Sequence, residues 1–485
     1  MAAVHLAAPI APARLDLEYS RMTPSSDDAG TQGLGLPAQA LFEPRSVAVV
    51  GVPRTPRPGQ LFLQALLDPG YRGRIYPVNP NAQEILGLPC YPSVTSLPEA
   101  VDLAIIVVPA AAAVSVVREC AEKGVRAAVV FTAGFSELGT EEGRAREAEL
   151  VAAARSGRLR LVGPNCMGAY VPKTGLGSFP AMPSEQGPIA FVSQSGSLSN
   201  GLVWGGAERG LAFSKVISVG NQADLEISDF LEYLAEDPET EIIATYIEGA
   251  RDGRRLWHAL AEAARRKHLV VWKVGRTRSG ARAASSHTGS LAGEAEVWSG
   301  LLRQAGALQV GDLEELLDTL VALRYLGRPS GRRLAIVAGP GGPAVSAADA
   351  CEEAGLELAE LSPETQARLR EVTGSTGTSV RNPVDIGLVL AGVTEMYRAA
   401  VEATIGDAGV DAVVVIGGAT RGQGWQDHIE GMARLARAAA KPILQVSFGP
   451  GDPTLDRALA QEGIPSFRSA ERALRAYARV RLERD

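Results

Sequence analysis

Short runs of β-branched apolar residues recur along this chain in a steady rhythm, each followed by an Ala- and Leu-rich stretch of helical length. The rhythm is the tightest constraint in the sequence, because a strand followed by a crossover helix returns parallel to its neighbour and buries both faces of a sheet. The runs SVAVVGV (46–52), RIYPVNP (74–80), VDLAIIVVP (101–109), RAAVVFTAG (126–134) and LRLVGPN (159–165) predict a Rossmann-like domain over residues 39–172. After a Pro- and Gly-rich passage from Val171 to Pro188, the pattern restarts with PIAFVSQSG, AFSKVISVG, EIIATYIEG and LVVWKVG, predicting a second domain over 186–327. Beyond the junction GRPSGRR, Gly327–Arg333, the runs RLAIVAGPGG, DAVVVIGG and KPILQVSFG predict a third over 331–482. The second and third blocks both open with a strand, a Gly-rich turn and a small-residue helix, and read as diverged copies of one flavodoxin-like unit. The expected fold class is α/β: a Rossmann-like domain followed by two flavodoxin-like domains.

Length agrees with this division, since 485 residues call for two to four domains. A formal net charge of −7 argues against general affinity for nucleic acid or an anionic membrane. The basic stretch GRTRSGARA, Gly275–Ala283, stands out against that background. Cys90, Cys120, Cys166 and Cys351 lie far apart, without CxxC or metal-ligand spacing, so no metal site is expected and a reduced, cytoplasmic setting fits. Residues 1–38 lack a basic segment followed by a sustained apolar run, and are expected to form a disordered extension rather than a signal peptide. No apolar run of membrane-spanning length is present.

Residues with chemical potential gather after the strands. In FVSQSGSLSNG (191–201), Ser195, Gly196 and Ser197 open a helix, which makes either an anion cradle of helix N–H groups and hydroxyls or a plain N-cap. GPNCMG (163–168) sets Asn165 at the carboxyl end of a parallel strand, where α/β proteins bind ligands, or in a simple turn. GNQADLE (220–226) brings Asn221 and Asp224 to the same edge, where helix capping also accounts for them; NPVDIG (382–387) and GPGGP (339–343) are the third domain's counterparts. The chain has five histidines, and His287 lies in ARAASSHTGSLAG (281–293), read as a small-residue loop with helical periodicity resuming near Glu294. General base, metal ligand and phosphoryl carrier are its possible roles, against an exposed loop histidine with none. No Cys, Asp or second His stands at ligand spacing, and SQSGSLS is not a GxSxG elbow. A carrier also needs a carboxylate on its second ring nitrogen; Glu248, closing IIATYIEG, is the expected one. His5, His258, His268 and His428 read as tail, helical or surface residues.

In this order and spacing, GPNCMG, FVSQSGSLSNG, SVGNQAD, YIEG, SSHTGSLAG and NPVDIG resemble the α part of the ADP-forming acyl-CoA synthetases, relatives of the succinyl-CoA synthetase α subunit. The resemblance implies that the first domain binds CoA and that the second holds a transiently phosphorylated histidine. An ATP-grasp domain, fused or on a β-type subunit, then exchanges that phosphate with ADP or ATP and Mg. By motif position His287 is the implied phosphohistidine, Glu248 its orienting carboxylate, and Ser195, Gly196, Ser197 and Gly289 the phosphate-binding residues. Gly51, Val78, Asn79, Pro80, Pro109, Asn165, Cys166, Asn221 and Asp224 are the implied CoA- and substrate-binding residues. The resemblance further implies an acyl-CoA or carboxylic acid substrate, no metal on this chain, and a hetero-oligomer or homodimer. No segment of domain size is left for an ATP-grasp fold, so a separate partner is expected. The competing expectation is a catalytically silent CoA- or acyl-CoA-binding regulator. The proline-rich first turn VVGVPRTPRPGQ (49–60) favours it, while the intact SSHTGSLAG and YIEG favour the enzyme. A nicotinamide-dependent oxidoreductase is disfavoured because no GxGxxG follows SVAVVG.

Overall fold

Each apolar run becomes a strand in the computed structural model, and the central ones, such as Ser46–Val50 and Ile242–Ile247, are buried along their whole length. The structure describes residues 37–55, 58–68, 70–288, 294–339, 341–373, 379–387, 393–418, 425–447 and 451–481, with the side chains of 58, 284–288 and 393 excepted. Nearly all of the expected extension 1–38, and Gly289 of the expected phosphate site, lie outside the described residues.

The first sheet contains β1 (Ser46–Val50), β2 (Arg74–Val78), β5 (Leu103–Ile106), β6 (Ala127–Val130) and β7 (Arg160–Val162), with a small hairpin of β3 (Glu84–Ile85) and β4 (Leu88–Pro89) beside it. The second contains β8 (Gly168–Tyr170), β9 (Gln186–Ser193), β10 (Phe213–Ser218), β11 (Ile242–Ile247), β12 (His268–Lys273) and β13 (Leu308–Val310). The third contains β14 (Arg333–Ala338), β15 (Glu357–Leu358), β16 (Val384–Asp385), β17 (Ala412–Ile416), β18 (Ile443–Val446) and β19 (Ser466–Phe467). Their orders are β2-β1-β5-β6-β7, β13-β12-β11-β9-β10-β8 and β15-β14-β17-β18-β19, with β16 pairing β14. Apart from β8, β16 and the hairpin, each sheet winds second, first, third, fourth, fifth. This is the doubly wound, flavodoxin-like order, which opens a ligand crevice at the carboxyl ends where the winding reverses.

One boundary differs from the sequence reading. Gly168–Tyr170, expected within the first domain, pairs antiparallel with β10 and forms the edge of the second sheet. The GPNCMG segment is therefore a strap that leaves β7 and enters the neighbouring sheet.

The second and third sheets share one apolar core that includes the C-terminal helix Ala470–Val480. Arg472 of that helix donates from Nε and Nη2 to Asp318 at 2.6 and 2.8 Å, fixing it to the helix Leu313–Leu326.

His428, read from sequence as helical or surface, is 2% exposed in the helix Trp425–Ala439, and among the described residues neither ring nitrogen has a hydrogen-bond partner. Burial first, then the Arg398 charge, lowers its pKa, while Glu395 opposes. The folded chain thus holds His428 neutral, and unfolding lets it take a proton. Its contribution is complete above the unfolded pKa of about 6.5 and is lost as pH falls below it, by up to roughly 1.4 kcal/mol per pH unit. Urea unfolding of the natural chain and His428→Phe at pH 7.5 and 5.5 checks this: the natural chain should lose more stability on acidification, and equal losses would contradict it.

Candidate active site

Register sets the site. Ser193 of β9 pairs with Ser218 of β10 and Tyr246 of β11, and Ile247 pairs with Lys273 of β12, so four strand ends finish in one row. Ser195 caps the helix Gly196–Glu208, its Oγ accepting the Leu198 N–H at 3.4 Å and lying 3.3 Å from Ser197 Oγ. The first intrahelical bond here runs from Ser199 N–H to Ser195 O, 3.2 Å, which leaves the Gly196 and Ser197 N–H groups ahead of it, at the positive end of the helix dipole. The cap and the cradle, alternatives in the sequence, are one structure.

Glu248 is buried directly after β11. Gln194 Oε1 accepts the N–H groups of Glu248 and Gly249, the latter at 3.1 Å, and burial, followed by the Glu248 carboxylate, raises the pKa of the Tyr246 hydroxyl. Lys273, 4% exposed, donates from Nζ to the Glu248 carbonyl at 2.9 Å and to the Val274 carbonyl, and lies 5.0 Å over the Trp298 ring. Burial pushes its pKa down to about 8, assisted by Arg276 and opposed by Glu248. Sequence reasoning passed over Lys273; its one signal was a lysine closing the apolar strand LVVWK.

The strap from the first sheet stacks on these turns. Asn221 N–H donates to Pro164 O at 3.0 Å and Ala223 N–H to Gly163 O at 2.9 Å. Gly220 has φ +51, and a Cβ there would overlap the carbonyl oxygens of Pro164 and Asn165. Gly220→Ala should therefore destabilise the chain by about 3 kcal/mol, of which a left-handed φ accounts for roughly 1–2. An unchanged thermal unfolding midpoint would contradict this close approach.

Below the strap lies a network that no motif announced. Asn221 Nδ2 donates to Glu137 Oε2 at 2.6 Å and to Glu147 Oε2 at 3.0 Å, while its Oδ1 accepts from Asn165 Nδ2 at 3.4 Å. Arg251 Nη2 bonds the other Glu147 oxygen at 2.6 Å. Burial works against ionisation of Glu137, but the Gly134 and Phe135 N–H groups and Asn221 outweigh it and lower its pKa.

The 3₁₀ turn Ser136–Leu138 that carries Glu137 packs against the helix Arg278–Thr288. Over 281–288 that helix corrects the expected loop, and the backbone at His287 is helical, in the last turn, while 289–293 lie outside the described residues. The Thr277 hydroxyl takes the Gly280 N–H at 3.0 Å as an N-cap would, and the following alanines favour propagation.

The remaining expected residues divide by what their side chains touch. Gly51 (φ +92), Val78–Pro80 and Pro109 line the carboxyl ends of β1, β2 and β5, where the first sheet's winding reverses. A Cβ on Gly51 would stand 2.6 Å from Val108 Cγ1, so the turns on either side of the switch point touch. Asn79 donates to Val52 O at 2.7 Å and accepts the Asn81 N–H at 2.8 Å, bracing the turn from within. Val78 is buried. Cys166, expected near substrate, is 3% exposed, with its Sγ 3.4 Å from Val130 O and its thiol pushed up to about 12 by burial. Asp224, also expected there, accepts from Arg160 Nε at 2.8 Å and from the Leu161 N–H at 2.9 Å, joining the first and second sheets. Both side chains are engaged by contacts within the fold. Among the described residues, no cluster of three or more His, Cys, Asp or Glu is placed to hold a metal, and no helix is long and apolar enough to cross a membrane.

Comparison with known proteins converges on this geometry. Residues 45–172 match the model of a CoA binding domain, and residues 186–323 that of a succinyl-CoA ligase-like flavodoxin domain. The chain is 37% identical to the Pyrococcus furiosus acetate–CoA ligase [ADP-forming] II subunit alpha, covering 90% of this chain and 96% of that one. It belongs to the family of ADP-forming acetate–CoA ligase α subunits. To the Archaeoglobus fulgidus acetate–CoA ligase [ADP-forming] I it is 41% identical over 90% of its length but spans only 62% of that longer relative. The Ca. Korarchaeum cryptofilum acetyl-coenzyme A synthetase 1, solved with phosphate and ADP, superposes with a TM-score of 0.77 at 33% identity, over 91% of this chain and 96% of that one. Within this ligase family the carboxyl edge of the first sheet belongs to a CoA-binding domain, and the Ser195–Gly196, Glu248 and His287 positions belong to the succinyl-CoA ligase-like domain.

Proposed function

We propose that this chain carries the CoA and phosphohistidine sites of an acyl-CoA ligase, interconverting acyl-CoA, ADP and phosphate with carboxylic acid, CoA and ATP. Its three domains, 39–172, 186–327 and 331–482, work with a β-type ATP-grasp subunit that holds the nucleotide and Mg. Phosphate on the Gly196–Ser197 N–H groups attacks the thioester carbonyl; a C–O bond forms, the C–S bond breaks, and CoA leaves as a thiolate that takes a proton. A nitrogen of His287 then attacks phosphorus, and the carboxylate departs. His287 passes the phosphoryl group to ADP on the partner. The small residues around His287, SSHTGS, suit a carrier that serves two sites.

The observation carrying this reading is the strap Gly163–Met167, which joins the CoA-binding sheet to the sheet bearing the helix N-terminus and Glu248. The silent alternative rested on the prolines of the first turn. Yet the helix Pro58–Leu67 begins at the third of them, where a missing N–H costs nothing, and the Pro53 carbonyl accepts from Gln60 Nε2 at 3.4 Å. Acetyl-CoA mixed with the chain and inorganic phosphate tests the choice by thiol titration. Phosphate-dependent release of CoA supports the ligase; CoA binding without release supports the silent binder and overturns it.

A further inference from the structure

The acyl carbon must bond in turn to the CoA sulfur, held by the first domain, and to a phosphate oxygen at the helix Gly196–Glu208. Resting on the ligase reading above, this places the acyl group where the first and second sheets meet, at the Met167 end of the strap Gly163–Met167 that reaches Gly196. Along that strap exposure alternates: Asn165 and Met167 are half-buried, while Cys166 between them is turned into the core. The Asn165 side chain is held by Asn221. Met167 donates its N–H to Ser218 Oγ at 3.1 Å, which fixes its backbone to the end of β10. Its side chain lies across Gly196, so closely that a Cβ on Gly196 would overlap Met167 Cγ. Met167 is thus an apolar side chain on the helix end that serves as the phosphate cradle.

We propose that the Met167 side chain forms a wall of the acyl pocket and limits the length of the acyl group. A thioether chain is long, unbranched and adaptable, so it can close a pocket around a short acyl group without polar contacts. Cutting it back to alanine removes three heavy atoms, room for about two to three methylenes, each worth roughly fourfold in transfer free energy. Phenylalanine adds bulk in the same place.

The test is phosphate-dependent release of CoA from acetyl-, butyryl- and hexanoyl-CoA by the full chain and by Met167→Ala and Met167→Phe. In Met167→Ala, kcat/KM for hexanoyl-CoA relative to acetyl-CoA should rise about tenfold or more, within the range that apolar pockets reach per methylene. In Met167→Phe it should fall. Parallel changes for all three thioesters, or an unchanged ratio in Met167→Ala, overturn the assignment of Met167 while leaving the ligase reading intact. Absence of phosphate-dependent release from any thioester by the natural chain overturns the ligase reading, and this inference with it.

Discussion

A chain carrying His287→Ala should still release CoA from acetyl-CoA in the presence of phosphate, yet hold no phosphoryl group and support no nucleotide-coupled turnover. The two halves separate because, in the proposed mechanism, attack of phosphate on the thioester uses the CoA edge of the first sheet and the N–H groups at Gly196 and Ser197, and neither involves the histidine. Only the second half, in which the acyl phosphate surrenders its phosphoryl group, needs a nucleophilic nitrogen. Acyl phosphate should therefore accumulate, and hydroxylamine trapping detects it. With the ATP-grasp partner added, turnover should fall by about 10⁴-fold or more, as when a covalent nucleophile is removed. Turnover within tenfold of the natural chain would exclude His287 as the carrier.

Glu248→Gln should lower the rate of phosphoryl transfer to His287 by about 10²-fold, the lower range for losing a group that holds a proton or orients a base. The fold should survive, because Gln194 and Lys273 grip the Glu248 backbone rather than its carboxylate. The affinity for CoA should not move, since the CoA edge lies on β1, β2 and β5. Rapid-quench measurement of phosphoenzyme formation together with a CoA titration checks the pair of outcomes. A fall in CoA affinity equal to the fall in rate would mean that Glu248 acts through the fold.

The long strands were legible because a parallel sheet buries both faces and writes an uninterrupted apolar run. The two- and three-residue strands β8, β15, β16 and β19 were not, because pairing defines them and residue pattern does not. The helix at His287 was missed for a different reason: serine, glycine and threonine suggested a loop, while the Thr277 cap and the alanines at 281, 283 and 284 favour a helix. The positions of Ser195, Gly196 and Glu248 at strand ends were legible because a strand followed by a turn and a helix puts the intervening residues at the carboxyl edge of a parallel sheet. Within the same motifs, sequence cannot tell which side chains face outward. Cys166 faces the core and Asp224 an arginine, although both stand in the expected segments. Glu137, Glu147 and Arg251 meet around Asn221, and Lys273 meets the Glu248 carbonyl, only after the sheets have packed, and their separation in sequence hides them.

Where the phosphoryl group resides decides most directly whether His287 is the carrier. The natural chain, incubated with acetyl-CoA and radiolabelled inorganic phosphate without nucleotide, should acquire base-stable, acid-labile label approaching one phosphoryl group per chain. Mass analysis should place it on the peptide containing His287. Absence of label although CoA is released, or label that persists in His287→Ala, would contradict the account.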